Sequence, residues 1–156
     1  MTPTESAAAK PQLITPTFVL AWVANFCQFL VFYLFVTTMA LYAVESFGAS
    51  DTVGGFASSA FVLGATCMRV FSGWIVDRVG HKKAALASLA FVTLVAVAYF
   101  FAHNVAVLII VRMVHGAGYA LTSTALMAVA QSVIPHERRA EGTGYFALGT
   151  TLATAF

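Results

Sequence analysis

Four polar side chains recur at steps of three and four residues along an apolar stretch in the second half of the chain. They are Arg112, His115, Tyr119 and Thr122. Residues at these steps lie on one face of an α-helix. A charged side chain at the centre of a membrane costs about 2.5–3.5 kcal/mol on insertion scales, so this face is expected to point into a helix bundle or a cavity. The pattern predicts a polar binding site inside a bundle.

Two residues of this face have a second interpretation. Arg112 lies about seven residues, or roughly 10 Å, into its apolar stretch, so its side chain could instead reach back to the membrane surface. His115 could be a core histidine whose hydrogen bonds are satisfied by its neighbours. Both alternatives stay open at this point.

A second polar face lies in the first apolar stretch, where Asn25, Gln28 and Phe32 recur about one turn apart. Amide side chains can hydrogen-bond between membrane helices, which contributes about 0.6 kcal/mol on average. Helix packing is therefore one interpretation of Asn25 and Gln28. Contact with a bound molecule is the other.

The elements that carry these faces are predicted to be membrane-spanning helices. Hydrophobic residues make up 60% of the 156 residues, only 9% are charged, and the mean hydropathy is +0.88. A spanning helix needs about 20 mainly apolar residues, and no stretch shows the alternation of a membrane strand. Four stretches are long enough, at about 17–44, 53–77, 84–102 and 105–134, and a fifth begins at about 143. We predict an all-α membrane protein with four full transmembrane helices plus the start of a fifth, after a polar cytoplasmic tail at 1–16.

The connections between these stretches predict their orientation. Positive residues follow the second and fourth stretches, at Arg78, Lys82, Lys83, Arg138 and Arg139. The other two connections contain no Lys or Arg and carry Glu45, Asp51, His103 and Asn104. Because Lys and Arg collect in cytoplasmic loops, the N-terminus is expected in the cytoplasm of a multi-pass protein of the plasma (inner) membrane.

Residues typical of helix ends accompany the predicted spans. Thr15 and Pro16 suit the start of the first helix, as a cap and as the first helical residue. Gly48 suits its end. Asp51 or Thr52 is expected to cap the second helix.

The connection at 73–83, GWIVDRVGHKK, is unusually polar for this chain. Gly73 is expected to allow close helix approach, and Gly80 to adopt a positive φ. So short a connection predicts that the second and third helices are antiparallel neighbours. Asp77 lies near a helix C-terminus, where the dipole disfavours a negative charge, so a neighbouring helix N-terminus or an Arg is expected to compensate it. The inside-positive bias alone would explain the cations, but it explains the Gly–Asp–Gly spacing poorly.

Gly73, Asp77, Arg78, Gly80 and Lys82 resemble the loop signature of the major facilitator superfamily of transporters, at the same place between the second and third helices. The resemblance implies that the Asp and the basic residues form a charge relay, which locks one conformation and releases in another. His81 departs from the usual Arg or Lys, which implies a weaker, pH-dependent second cation.

Further residues are similar to the drug- and sugar-efflux, proton-antiporter branch of that family. They are Arg112 with Gly116 and Gly118, the run Phe47-Gly48-Ala49-Ser50, and Arg69. The resemblance implies a secondary transporter that exchanges protons for a small-molecule substrate, with Arg112 in proton coupling. It also implies a substrate cavity partly lined by Asn25, Gln28, Phe32, His115 and Tyr119. Arg69 is expected either to reach the membrane surface or to bond another helix.

The family is built from two six-helix halves, so residues 17–156 are expected to be an incomplete N-terminal half that cannot transport alone. A small helical membrane protein that acts in interaction or assembly is the alternative. No metal, cofactor, nucleic-acid or enzyme motif is found. Cys27 and Cys67 are expected to be buried free thiols.

Overall fold

The computed structural model describes residues 12–155, so most of the predicted tail at 1–16 lies outside the described residues. Five α-helices follow one another, and no strand occurs in the described range. They are α1 (Pro16–Phe47), α2 (Asp51–Val79), α3 (His81–Ala98), α4 (Val105–Val133) and α5 (Arg139–Ala153). Short 3-10 turns at Tyr99–Phe101 and His136–Arg138 follow α3 and α4.

Local side-chain and backbone chemistry sets the limits of α1. The hydroxyl of Thr15 accepts a hydrogen bond from the backbone N–H of Phe18 at 3.2 Å, and Pro16 is the first helical residue. Gly48 ends the helix in a left-handed conformation with φ of 63°. Since both ends use the predicted residues, this part of the sequence interpretation is confirmed.

The cap of α2 differs from the prediction by one residue. Ser50, with an extended backbone, accepts a hydrogen bond from the N–H of Val53 at 3.4 Å. Asp51 and Thr52 are already helical, so neither can occupy the cap position. Asp51 instead places a negative charge in the first turn, where the helix dipole favours it.

The closest helix pair is α2 with α4, and glycines make it possible. A Cβ added at Gly64 would overlap the carbonyl of Met113 and lie 2.9 Å from its Cα. A Cβ added at Gly116 would overlap the carbonyl of Phe61. Small residues that let backbones approach are typical of membrane helix interfaces. Gly73, by contrast, has open space where its Cβ would be, so its predicted role in close approach is wrong.

The helix α4 occupies the centre of the bundle and packs against all the other helices. Only Gly80, with φ of 92°, separates α2 from α3, and its predicted positive φ is confirmed. The two helices nevertheless contact each other only slightly, since α2 and α3 both pack mainly on α4. They are neighbours along the chain and in contact, as predicted, but most of the packing of each is with α4.

Buried apolar side chains form one cluster at each end of the bundle and one in the middle. The first end cluster contains Phe18, Val76, Ala84, Leu126 and Phe146. The second contains Ala43, Ala57, Ala102 and Leu108. The middle cluster contains Phe61, Ala65, Tyr119 and Ala120.

The outer surface of the bundle is apolar, as a lipid environment requires. Several large apolar side chains are at least 70% exposed, among them Leu20, Val70, Leu86, Leu94 and Phe100. Four helices, α1 to α4 with the turn after α3, are long and apolar enough to cross a membrane. The predicted fold class, an all-α membrane protein with four full spans and the start of a fifth, is confirmed.

The two cysteines are free, but they are exposed and not buried as predicted. On α1, Asn25 and Gln28 are buried while Cys27 is exposed, and on α2, Gly64 and Ala65 are buried while Cys67 is exposed. A helix that is apolar on every side can turn a thiol toward lipid as easily as toward the core.

Candidate functional site

The four polar residues of α4 all lie inside the bundle, and Arg112 is the charged one among them. Its side chain is fully buried, with the guanidinium 5.0 Å from the ring centre of Phe61. The Nη2 atom donates a 2.7 Å hydrogen bond to the carbonyl of Ser58, and Nε donates a 3.4 Å bond to that of Ala57. Arg112 therefore faces α2, and the alternative that it reaches back to the membrane surface is wrong.

The close contact of α2 and α4 explains how a helix backbone can receive these bonds. The carbonyls of Ala57 and Ser58 lie inside α2, where the helical hydrogen bond uses only one of the two lone pairs of each oxygen. Gly64 and Gly116 bring the two backbones close enough for the guanidinium to reach the second lone pair. Nη1 of Arg112 is buried and has no hydrogen-bond partner among residues 12–155.

One turn further along α4, His115 forms a pair with a residue that the sequence did not single out. Its Nδ1 lies 3.0 Å from the hydroxyl of Tyr99, in the turn after α3. Tyr99 is also close enough to Arg112 to interact with it electrostatically. The rings of Phe35 and Phe61 pack edge-on against the imidazole, with centroids 5.8 and 5.5 Å away. His115 is thus a hydrogen-bonded histidine in an aromatic cluster, next to the buried guanidinium.

The polar face of α1 packs against α4 through the next turn. Gln28 donates from Nε2 to the carbonyl of Tyr119 at 2.9 Å. Phe32 contacts the rings of Tyr119 and Phe61, with centroids 5.5 and 5.0 Å away. Nδ2 of Asn25 and Oε1 of Gln28 are buried without a partner in the described chain. Helix packing therefore explains the hydrogen bond of Gln28 Nε2, but it gives no partner to Gln28 Oε1 or Asn25 Nδ2 in the described chain.

Two cavities divide the predicted substrate contacts between them. The α3-side cavity, of about 260 Å³, is lined by Gln28, Phe32, His115 and Tyr119 together with apolar residues of α3. The α5-side cavity, of about 360 Å³, is lined by Asn25, Arg69 and Tyr119 together with residues of α4 and α5. Tyr119 lines both cavities and Arg112 lines neither. The five candidates are neighbours, but no single cavity holds them all.

The loop signature lies at a different level of the bundle from Arg112. Along α2, Asp77 is about 28 Å from Ser58, whose carbonyl receives the Arg112 bond. The Asp77 side chain is 80% exposed, and its Oδ1 lies 3.9 Å from Nε2 of His81 at the start of α3. Of the two predicted partners, the N-terminus of a neighbouring helix is therefore the one found, because His81 is the first residue of α3. His81 itself carries a positive charge only when it is protonated.

The cations of the loop have different surroundings. The guanidinium of Arg78 lies 5.2 Å from the ring centre of Trp74, one turn earlier on the same helix. Lys82 is exposed and lies at the edge of a groove between α1 and α3. The structure therefore does not bring Arg78 or Lys82 to Asp77.

A second ion pair stabilises the turn that leads into α5. Arg138 donates hydrogen bonds to both carboxylate oxygens of Glu141, at 2.8 and 2.7 Å. Its hydrogen bond to Glu141 raises the pKa of Arg138 above its usual value. Glu141 also lies in the first turn of α5, where a negative charge is favourable.

Sequence reasoning missed Tyr99 and the aromatic partners of His115. A tyrosine at the end of an apolar stretch is typical of the membrane interface. Nothing in its spacing shows which residue of the following helix it meets. The arginine, by contrast, could be found because a buried charge is rare in such a chain.

The comparison with known families decides the class of the protein. The family model described as Major Facilitator Superfamily matches residues 21–156, which include most of α1 and all of the helices that follow. The chain belongs to the Major Facilitator Superfamily. No curated protein and no solved structure matches it. Members of the Major Facilitator Superfamily are transporters, not enzymes, so this is a multi-pass membrane protein of a transporter family.

Proposed function

We propose that this member of the Major Facilitator Superfamily is a proton-coupled exporter of a small molecule, of the drug- and sugar-efflux branch. The observation that carries the proposal is the burial of Arg112, a full positive charge bonded to the backbone of α2. The resemblance of Arg112, Gly116 and Gly118 to the Arg motif of proton-coupled members supports the same role.

Stability alone does not explain such a charge. Replacing a buried ion by an apolar side chain of similar volume is often neutral or stabilising. Nη1 of Arg112 also has no hydrogen-bond partner among the described residues, which adds to the cost of burying the charge. A fully buried cation in an apolar bundle is a functional-site hypothesis by default.

His115 and Tyr99 supply groups through which a proton could be exchanged near this charge. Neutral imidazole can accept a proton and imidazolium can release it, and the 3.0 Å contact with the Tyr99 hydroxyl fixes the ring. A positive guanidinium nearby disfavours a second positive charge on the imidazole. Motion of α2 against α4 would break the bonds of Arg112 to the α2 carbonyls, which would free the guanidinium to shift relative to the imidazole and so change the affinity of His115 for a proton.

The loop at 73–83 is proposed as the conformational switch, facing the cytoplasm. Asp77 and His81 connect the end of α2 to the start of α3 at 3.9 Å. Because both side chains are exposed, each can exchange one partner for another during the transport cycle. The positive charges of this connection and of the one before α5 support a cytoplasmic N-terminus in the plasma (inner) membrane.

Transport by the full-length protein in everted membrane vesicles tests this proposal. A panel of antibiotics and sugars is added to vesicles that hold a pH gradient, and uptake is followed with the gradient present and after an ionophore has collapsed it. At least one compound is expected to accumulate only with the gradient. Accumulation that is indifferent to the ionophore would refute proton coupling.

A further inference from the structure

We propose that the α5-side cavity binds the anionic group of an amphipathic organic anion, with Arg69 as its charge partner. This inference deepens the proposed function, on which it rests, by naming the substrate class. It assigns Arg69 to substrate binding, in place of the membrane-surface or helix-bonding role expected from the sequence.

The charge of the cavity comes from Arg69 alone. Among its lining residues there is no Asp or Glu. The ion pairs of the described chain join His81 to Asp77 and Arg138 to Glu141, so no carboxylate between residues 12 and 155 neutralises Arg69. A guanidinium presents a planar set of donors that matches a carboxylate or phosphate. The cavity therefore favours an anion and disfavours a cation.

Asn25 lines the same cavity and carries a second donor, which is buried. Asn25 is 3% exposed, and its Nδ2 makes no hydrogen bond in the described chain. A buried donor left in this way costs about 1–3 kcal/mol. Its Nδ2 atom is closed off from the cavity, so an acceptor group of a ligand reaches it only when neighbouring side chains shift. Arg69 lines this cavity together with Tyr119.

The hydroxyl groups of Ser123, Thr124 and Thr150, which also line the cavity, already donate to backbone carbonyls. Ser123 and Thr124 donate to the carbonyl of Ala120 at 3.1 and 2.8 Å. Thr150 donates to the carbonyl of Ala147 at 2.7 Å. These three hydroxyls therefore already have acceptors, and Arg69 supplies the positive charge that a ligand would meet.

The remaining walls select the body of the ligand. Phe29, Met127 and Phe146 line the cavity with Tyr119, and they offer faces for an apolar or aromatic group. A sugar needs hydrogen-bonding partners around its whole ring, which these side chains cannot provide. A volume of about 360 Å³ is at the small end of ligand pockets. The arrangement suits a small aromatic or aliphatic acid better than a sugar.

Transport of a matched pair of probes by the full-length protein in proteoliposomes tests the inference. The probes are 2-naphthoate, which carries a carboxylate, and 2-naphthamide, its neutral counterpart. We expect the wild type to carry 2-naphthoate, or to be inhibited by it, about tenfold more effectively than 2-naphthamide. Arg69→Gln should remove this preference, while Arg69→Lys should keep part of it because the charge remains.

Two further variants sharpen the comparison. Asn25→Asp places a carboxylate in the same cavity as Arg69 and should abolish the preference for 2-naphthoate. Arg139→Gln removes an exposed arginine at the start of α5, outside the cavity, and should leave the preference unchanged.

The outcomes separate the inference from the proposed function. Equal transport of the two probes by the wild type, or equal inhibition by them, would overturn the inference. A preference for 2-naphthoate that survives Arg69→Gln would also overturn it. If Arg69→Gln fails to insert, the wild-type preference and the Asn25→Asp variant still decide. If the wild type transports no compound of the antibiotic and sugar panel in a proton-dependent way, the proposed function is refuted instead.

Discussion

The guanidinium of Arg112 is bonded to the backbone carbonyl of Ser58, at 2.7 Å, and to no acidic side chain in the described chain. The charge of α4 is thereby linked to the position of α2 as a whole. A carbonyl cannot rotate away from a helix as a carboxylate side chain could. Any sliding of α2 along α4 must therefore break or lengthen this bond, and the environment of the charge reports the relative position of the two helices.

Substitution of the interface glycines should destabilise the fold. In Gly64→Ala or Gly116→Ala the new Cβ would overlap a backbone carbonyl of the facing helix, which no side-chain rotation can relieve. We expect a loss of about 3 kcal/mol or more in unfolding free energy. Thermal unfolding of the protein in detergent measures it. Gly55→Ala is the control, because open space surrounds its Cβ position, and equal melting temperatures for all three variants would contradict the packing.

The bond between Tyr99 and His115 should contribute measurably to stability. Tyr99→Phe removes the hydroxyl that lies 3.0 Å from Nδ1 and should lower the unfolding free energy by about 1 kcal/mol. A double-mutant cycle with His115→Phe isolates the pair, and its coupling energy should account for most of the loss. Tyr42→Phe, at an exposed tyrosine of α1, is the control. A coupling energy near zero would show that the two groups do not interact.

The loop signature should matter for transport and not for insertion. Asp77→Asn removes the carboxylate that lies 3.9 Å from His81 and should reduce transport by about fivefold or more, since conformational couplings are commonly of that size. Membrane insertion should be normal because the side chain is exposed. Asp51→Asn neutralises the acid at the other end of α2 and serves as the control. Unchanged transport in Asp77→Asn would limit the residue to a local role at the helix end.

The orientation predicted from the charges can be tested by cysteine labelling. Cys27 and Cys67 are exposed and are first replaced by serine. A membrane-impermeant maleimide added to intact cells should then label His103→Cys and leave Lys83→Cys unlabelled. Labelling of both should follow once the membrane is permeabilised. Labelling of Lys83→Cys in intact cells would reverse the topology.

Local features of the helices could be predicted from the sequence. Thr15 and Gly48 limit α1 because each acts on its own backbone, through a side-chain acceptor and a positive φ. The burial of the α4 polar face follows from the same reasoning, since charge in an apolar bundle must be satisfied internally. Ser50 took the place of Asp51 as a cap because neighbouring residues with similar side chains compete for one position.

Relationships between helices could not be predicted. Periodicity shows which residues share a face, but not which helix that face meets, so Tyr99 and the carbonyl of Ser58 were missed. Gly64 and Gly73 both lie in the second apolar stretch, and its composition does not show which of them another helix approaches. In the structure, α4 approaches Gly64 and not Gly73. The division of Asn25 and Gln28 between two cavities likewise depends on where α3 and α5 pack.

The coupling role of Arg112 is tested most directly by comparing substrate and proton movement in proteoliposomes that contain the wild type or Arg112→Lys. Lysine keeps the charge but loses the planar donors that reach Ser58 and Ala57. We expect Arg112→Lys to insert normally and still exchange substrate down its gradient, but no longer to accumulate it against a gradient at the expense of protons. Arg112→Lys that accumulates substrate to the wild-type level would contradict this role.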